Sequence, residues 1–287
     1  MKLHYHIKRI LYLIEAFIVY FFYYIFRILK IELASKVAGN LVILLSKFFK
    51  ENTLAKQNIK MCLPDTTLNC RERIIKNTWK HFGSIIGELP HWNSMNKTVF
   101  FSRVSIINKK YFPRSKAIIV SGHIGNWELI GRIAKEYDTK LNLVYRPSNN
   151  PYINKLINKI RSENNINLIP KGIFGVKMIL KAINNNEIVG IMIDQKISDG
   201  INVKFFNKNA MTTALPANIA LKYNIPIIAA YIVKVGEVKY KATFCKPLDI
   251  NTSDTKHTIM RKINQILEKW IKQHPEQWFW FHNRWKK

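Results

Sequence analysis

Short apolar runs alternate with amphipathic segments along most of this chain, and that alternation limits the folds open to it. The runs typical of buried strands lie at 117–121, 141–145, 166–169, 188–193 and 227–233. Segments with helical periodicity separate them, at 127–136, 152–164, 176–184 and 213–223. Such an order favours βαβ units, in which a mostly parallel sheet is covered by helices. The predicted fold class is therefore α/β. Further helices are predicted at 34–49, 53–62, 71–89 and 255–273, and further strands at 202–206 and 239–244.

Polar sequences follow four of the predicted strands. They read GHIGNWE, YRPSNNP, IPKG and DQK. Functional sites of α/β folds lie at the carboxyl ends of the strands. Because those ends meet at one edge of a parallel sheet, the four loops are expected to converge on one cleft.

The first of these loops carries a histidine and a glutamate five residues apart, His123 and Glu128. On a continuous helix, at ~100° per residue, their side chains would diverge by about 140°. If they cooperate, His123 must precede the regular helix, on a turn. Gly122 and Gly125 supply the backbone freedom for that turn, and Asn126 is expected to cap the following helix.

The chemistry of this loop is narrowed by the motifs that the sequence lacks. It contains no Walker A, GxGxxG, HExxH or GxSxG pattern. A histidine with a carboxylate partner and no enzyme nucleophile fits a general base that deprotonates a substrate hydroxyl. Two plainer roles remain open: His123 as a hydrogen-bonded residue at a strand end, and Glu128 as a first-turn charge on the helix dipole.

Charge points to an anionic partner. The chain has 46 basic and 18 acidic residues, a formal net charge of +28. Nucleic acid, phospholipid or an acidic carrier protein would each suit this excess, although some of the lysine can be solvated surface. The three cysteines are dispersed and form no CxxC pattern, which argues against a disulfide framework or a zinc site.

An apolar run near the amino terminus predicts membrane attachment. Residues 10–26 contain one charge, Glu15, and their number is at the lower edge of the ~17 to 25 needed to span a bilayer. Basic residues flank both sides, so they give no orientation, and several tyrosines also suit the headgroup layer. We expect an anchor over residues 1–33 and a single domain over 34–287. A spanning helix, an interfacial helix and a buried core helix are the alternatives.

The loop sequences resemble a known family. GHIGNWE is similar to the HX4D/E motif of glycerolipid acyltransferases, and its GNWE form resembles the lipid A biosynthesis acyltransferases, the lauroyl/myristoyl family. Other segments follow in that family's order, so the resemblance covers nearly the whole chain. They are NIKMCLPD, YRPSNNP, DQK, VKFFNKNAMTTALPANIAL and HPEQWFWFHNRWKK.

The resemblance implies a glycerolipid acyltransferase-like fold and an activity. A fatty acyl chain would pass from acyl carrier protein to a hydroxyl of a lipid A precursor, a phosphorylated glycolipid, at the cytoplasmic face of the inner membrane. No cofactor or metal is expected. His123 would be the general base and Glu128 its partner, and Arg146 would neutralise a phosphate or the oxyanion. The other expected substrate contacts are Asn126, Lys171, Asp194 and Gln195.

Several alternatives stay open at this point. The substrates could be another glycolipid or a lysophospholipid with acyl-CoA, or the chain could bind lipid without catalysis. A nucleic-acid binder would account for the charge alone. Arg146 could pair with a structural carboxylate, Asp194 could cap a turn, and the aromatic residues between 278 and 285 could form core or meet lipid headgroups.

Overall fold

The computed structural model describes residues 2–285, with side chains from residue 6; Lys286 and Lys287 lie outside this range. The helices are α1 (Lys2–Ile28), α2 (Ile31–Ser46), α3 (Glu51–Cys62), α4 (Leu68–Trp92), α5 (Lys97–Arg103), α6 (Leu129–Glu136), α7 (Pro151–Ser162), α8 (Ile173–Asn184), α9 (Leu215–Tyr223) and α10 (Lys256–Gln273). The strands are β1 (Val104–Ile107), β2 (Ala117–Ser121), β3 (Leu141–Tyr145), β4 (Ile166–Pro170), β5 (Ile188–Met192), β6 (Ile201–Phe205), β7 (Lys208–Thr212), β8 (Ile227–Gly236) and β9 (Lys239–Phe244).

Seven strands form one sheet in the order β1-β9-β8-β2-β5-β3-β4. Every neighbouring pair is parallel except β8 and β9. This arrangement confirms the predicted α/β class with a mostly parallel, helix-covered sheet. Strands β6 and β7 form a separate antiparallel hairpin. Its two turn residues, Phe206 and Asn207, both have positive φ, the conformation that tight hairpin turns require.

The central strands are apolar at consecutive positions because helices cover both faces of the sheet. On β2, Ile118 and Val120 pack into one buried cluster with α8 and α10. Ala117 and Ile119, which point to the opposite face, pack into a second cluster with α6. Burial on both faces gives a parallel strand a continuous apolar run instead of an alternating one. The continuous apolar sequence of β2 therefore reflects its position between two layers of helices.

Helix α1 lies along the body of the protein. The part from His6 to Ile28 is long and apolar enough to cross a membrane, with a mean hydropathy of 1.6. Only 11% of its apolar window is buried, so it is not a buried core helix. Polar contacts attach its inner side: Asn150 donates to the Tyr12 carbonyl and to Glu15, and the His91 ring donates to the Phe26 carbonyl. Its outer side remains apolar and exposed, which supports membrane association.

Small residues join α2 to α4. Gly83 and Gly87 on α4 face Ala34 and Ala38 on α2, and a Cβ at either glycine would collide with the α2 backbone. This close approach fixes the amino-terminal helices on the domain. Two short elements, α5 and β1, were not predicted, because neither carries a strong periodic pattern.

Candidate active site

His123 lies on a turn between β2 and α6, the position that the sequence required if His123 were to cooperate with Glu128. The backbone N–H of Gly125 donates to the Gln277 carbonyl at 2.8 Å, and that of Asn126 donates to the Ile232 carbonyl at 2.8 Å. Gly125 has φ +59°, and a Cβ there would overlap the Ile232 carbonyl. Only glycine allows the turn to approach β8 so closely. The turn thus places His123, whose side chain is partly exposed, at the carboxyl edge of the sheet.

The carboxylate that contacts His123 is Asp194. The imidazole Nδ1 lies 2.8 Å from Asp194 Oδ1, while the backbone N–H of His123 donates to Oδ2 at 2.7 Å. Trp278 Nε1 donates to the same Oδ2 at 2.9 Å. The cause is strand register: Ser121 on β2 pairs with Met192 on β5, so both residues lie two positions beyond a paired couple.

Asp194 is ionised despite its burial. Only 4% of the residue is exposed, and burial by itself would raise its pKa. The neighbouring His123 and the hydrogen bonds from His123 and Trp278 more than compensate and lower the pKa of Asp194 to about 2. An ionised acceptor at Nδ1 requires Nδ1 to carry the proton. The lone pair of the neutral ring is then on Nε2, 3.4 Å from Nε2 of Gln195.

Glu128 contacts a different partner. Arg161 on α7 donates to it twice, from Nη2 to Oε1 at 2.6 Å and from Nε to Oε2 at 3.1 Å. Trp127 Nε1 adds a third hydrogen bond at 3.0 Å. Within residues 6–285, no hydrogen bond joins His123 to Glu128. The predicted direct pair is therefore not what the contacts show, because the turn ends at Glu128 and aims its side chain at α7.

Arg161 was missed by sequence reasoning. It lies in the last turn of α7 and belongs to no motif, so no local signal distinguished it from other surface arginines. Burial lowers the pKa of this guanidinium, but the adjacent Glu128 carboxylate reverses the effect and leaves the pKa raised. A permanent positive charge thus lies beside the turn that carries His123.

Two of the predicted cationic contacts are exposed. Arg146 follows β3, and its only hydrogen bond among the described residues is a long one, 3.4 Å from Nη2 to Asn149 Oδ1. Lys171 follows β4 and is also exposed. Both lie at the same edge of the sheet as His123, with Arg146 free to contact a ligand.

Asn126 does not cap α6. The helix begins at Leu129, with Glu128 in the N-cap position and no side-chain cap. Asn126 is buried, and neither its Oδ1 nor its Nδ2 has a hydrogen-bond partner within the described chain. The expectation fails because the turn runs two residues longer than a side-chain cap at Asn126 allows.

The carboxyl-terminal aromatic residues are mostly core. Trp278, Trp280 and Phe281 are buried, which settles the choice between core and a headgroup-facing surface for these three. They also support the site: Trp278 bonds Asp194, and the Phe279 N–H donates to the His123 carbonyl at 3.0 Å. The His282 ring accepts from the Lys196 N–H at 2.8 Å and has a structural role.

An apolar crevice adjoins the turn. Its lining includes Trp127, Ile130, Leu143 and Met192, and it encloses about 30 Å³. That volume holds about one water-sized group. A fatty acyl chain therefore requires these side chains to move, or it reaches His123 from the open edge.

Comparison with known proteins gives a consistent result. The family model described as "Bacterial lipid A biosynthesis acyltransferase" matches residues 4–287. A lipid A biosynthesis acyltransferase of Haemophilus influenzae is 24% identical over 241 residues, covering 81% of this chain and 76% of the relative. The lipid A biosynthesis palmitoleoyltransferase of Escherichia coli K12 is 22% identical over 245 residues, covering 83% and 79%. The solved 1-acyl-sn-glycerophosphate acyltransferase of Thermotoga maritima aligns with a TM-score of 0.41 and 14% identity, covering 83% of this chain and 97% of that one.

Proposed function

The chain belongs to the bacterial lipid A biosynthesis acyltransferase family and is an acyltransferase; we propose that it transfers a fatty acyl chain from acyl carrier protein to a hydroxyl of a lipid A precursor. One observation carries the proposal. The Nε2 of His123 lies at the open carboxyl edge of the sheet while Nδ1 is held by the buried, ionised Asp194.

The reaction follows from this tautomer. His123 Nε2 accepts the proton of the acceptor hydroxyl as the hydroxyl oxygen attacks the thioester carbonyl. Asp194 stabilises the imidazolium that forms. When the tetrahedral intermediate collapses, the C–S bond breaks, and the departing thiolate takes the proton from the imidazolium. The products are an ester on the acceptor and a free thiol on the carrier.

Arg161 and Arg146 contact different anionic groups of the reaction. Arg161 uses Nε and Nη2 to hold Glu128, which leaves Nη1 for the oxyanion or a substrate oxygen. Glu128 then acts through Arg161 as a positioning residue. Arg146, with Lys171, binds a phosphate of the acceptor, because a guanidinium grips phosphate with two parallel hydrogen bonds. Gln195, whose amide lies beside His123 Nε2, contacts the attacking hydroxyl.

Charge and location support the partners. A net charge of +28 suits an acidic carrier protein and a phosphorylated acceptor. The α1 helix supports attachment at a membrane, and we place the domain over 34–287 on the cytoplasmic side of the inner membrane with residues 1–33 as its anchor.

The test uses the purified full-length protein in lipid vesicles. With a lipid A precursor as acceptor, we expect a product heavier by one acyl chain, formed faster from acyl carrier protein than from acyl-CoA at equal donor concentration. Replacing His123 by alanine should lower turnover by roughly 10²- to 10⁴-fold. His257→Ala, an exposed histidine on α10, is the matched control and should leave turnover unchanged. Full activity of a folded His123→Ala protein would refute the assignment.

The same question can be asked in cells. Mass spectrometry of lipid A from cells with and without this protein should differ by one acyl chain. An unchanged lipid A together with a changed phospholipid profile would favour the lysophospholipid alternative.

A further inference from the structure

Two large apolar side chains are exposed at the start of α8. Ile173 is 84% exposed and Phe174 is 72% exposed. Lys171 and Lys177, on either side of them, are exposed as well. We call residues 171–177 the α8 tip. Adjacent exposed apolar residues with a basic surround are typical of surfaces that contact another molecule.

The backbone explains why these side chains project. Gly172 has φ +109°, and a Cβ there would meet open space, so the chain turns outward at this point. Gly175 lies directly against the Pro170 carbonyl, with no room for a side chain. The first turn of α8 is thus pressed against the end of β4. Its core-facing positions are Gly175 and Ile179, and Ile173 and Phe174 point away from them.

The α8 tip lies at the same edge of the sheet as the segment that contacts α1. Strand β4 is the outermost strand of the sheet and is parallel to β3, so the carboxyl ends of both strands lie on the same side of the sheet. The segment after β3 reaches Asn150, which bonds Tyr12 and Glu15 of α1. The exposed apolar side chains of α1 include Ile14, Phe17 and Phe21. The sheet edge that carries the α8 tip is therefore also the edge at which α1 is attached, and both elements expose apolar side chains.

We infer that the α8 tip inserts into the same anionic bilayer as α1 and forms a second membrane contact. The apolar pair suits the boundary between headgroups and acyl chains, while Lys171 and Lys177 suit anionic headgroups. Lys8 and Arg9 are exposed basic residues on α1 and suit the same anionic headgroups. A single helix would let the domain swing about its attachment. Two contacts hold the carboxyl edge, and with it His123, against the layer from which a lipid acceptor is drawn.

A fluorescence measurement tests this contact without requiring activity. Full-length protein with Cys70→Ser and Cys245→Ser is given a single new cysteine by Phe174→Cys, labelled with an environment-sensitive dye and reconstituted into vesicles containing phosphatidylglycerol. Cys62 is buried, which raises the pKa of its thiol and keeps it unreactive. Leu221→Cys is the matched control, because Leu221 is exposed near the end of α9, which leads into the amino end of β8.

The expected result is a blue-shifted emission at position 174 that doxyl-labelled lipids quench, with neither effect at position 221. Equal, water-like emission at both positions would overturn the inference. Protection of position 174 that appears only when acyl carrier protein is added, without quenching by lipid, would also overturn it, since the carrier would then be the occupant.

A second variant measures the consequence. Replacing Ile173 and Phe174 together by serine should lower turnover of an acceptor embedded in vesicles by about tenfold, since the bilayer contact of two large apolar side chains is lost. Turnover of the same acceptor dispersed in detergent should stay within twofold, and so should both activities of Leu221→Ser. An equal loss in vesicles and in detergent would contradict a membrane role.

Discussion

Two buried carboxylates, Asp194 and Glu88, have similar surroundings and different roles. Asp194 accepts hydrogen bonds from the backbone and ring of His123 and from Trp278. Glu88 on α4 is fully buried and accepts from Ser35 Oγ at 2.7 Å, Lys234 Nζ at 2.7 Å and Tyr240 Oη at 2.6 Å. Each carboxylate therefore has three donors and is well satisfied.

The difference lies in whether the groups that donate to each carboxylate keep an unused hydrogen-bonding atom. Lys234 Nζ also donates to Ser35 and Ser84, so all three of its protons are used. Burial, and then the charge of Glu88, raises the pKa of Tyr240 well above its usual value and keeps that hydroxyl protonated. The side chains that donate to Glu88 are therefore fully engaged in hydrogen bonds within the fold. His123, by contrast, has Nε2 at the open edge, where its contact is a long one of 3.4 Å to Gln195 Nε2. A network in which every hydrogen bond is made within the fold stabilises the structure, whereas a network that leaves a basic nitrogen at the open edge can transfer a proton.

The largest expected effect is that of Asp194→Asn on turnover. Two N–H groups point at the Oδ2 position, so the asparagine oxygen will occupy that place and its NH₂ will face Nδ1. The ring must then carry its proton on Nε2, where it cannot act as a base. We expect turnover to fall by roughly 10²- to 10⁴-fold, measured with the carrier-bound donor on protein whose melting curve is still cooperative.

A folded Asp194→Asn protein with normal turnover would show that Asp194 is no more functional than Glu88. Glu88→Gln serves as the matched variant, because it makes the same chemical change in the closed network. It should leave the turnover of each folded molecule unchanged.

Glu88→Ala should act on stability instead. It leaves the partly buried Lys234 ammonium without a charged partner, and we expect a loss of about 3 kcal/mol in the free energy of unfolding. Denaturant melts in detergent measure this. Replacing Lys234 by methionine in the same chain should restore part of the stability. If the stability of Glu88→Ala is intact but turnover is lost, the network is part of the chemistry and the comparison fails.

The comparison can be sharpened with two arginines. Arg161 is bound twice by Glu128, whereas Arg146 has one long contact. Arg146→Lys should keep the fold and lower turnover by about 10- to 150-fold, because an ammonium cannot grip the acceptor phosphate with two parallel hydrogen bonds and loses one charge-assisted bond of about 1.5 to 3 kcal/mol. Arg73→Lys, exposed on α4, is the control. Wild-type rates for Arg146→Lys would mean that Arg146 acts only as a point charge. Loss of a cooperative melting transition in this variant would mean that Arg146 has a structural role.

The smallest effect concerns His81, which lies between the two networks. It shares α4 with Glu88, and its ring faces the Gly125 backbone in the His123 turn. Burial lowers the pKa of His81 to about 3, although the nearby Gly125 backbone opposes this. The unfolded chain therefore binds a proton that the folded chain does not between about pH 6.5 and pH 3. Stability is fully present above that window and falls as the pH drops through it.

The free energy of unfolding that is lost through His81 amounts to at most about 1.4 kcal/mol per pH unit. Melting temperatures recorded from pH 7 to pH 4.5 should decline less steeply in His81→Asn than in the wild type. His257→Ala should follow the wild type. Identical slopes for all three proteins would show that His81 is not buried neutral.

The sequence by itself determined the parts of this protein that depend on local pattern. The bounds of β2 and β3 match the predicted runs, since strands covered on both faces are apolar throughout. The glycines after β2 indicated a turn before the helix, and His123 lies on that turn, although the pairing with Glu128 that first suggested the turn is not made. The glycines of the turn and the exposed apolar helix at the amino terminus were also readable along the chain.

Only the tertiary structure decided which groups surround His123. Asp194 is 71 residues away from it, and the two meet because β5 lies beside β2 in a register that aligns their ends. Trp278 and the Glu128–Arg161 pair likewise depend on how distant segments pack. Periodicity records which face of an element is buried but not which element covers it. The glycines after β2 indicated the turn that carries the histidine, and strand order selected its carboxylate.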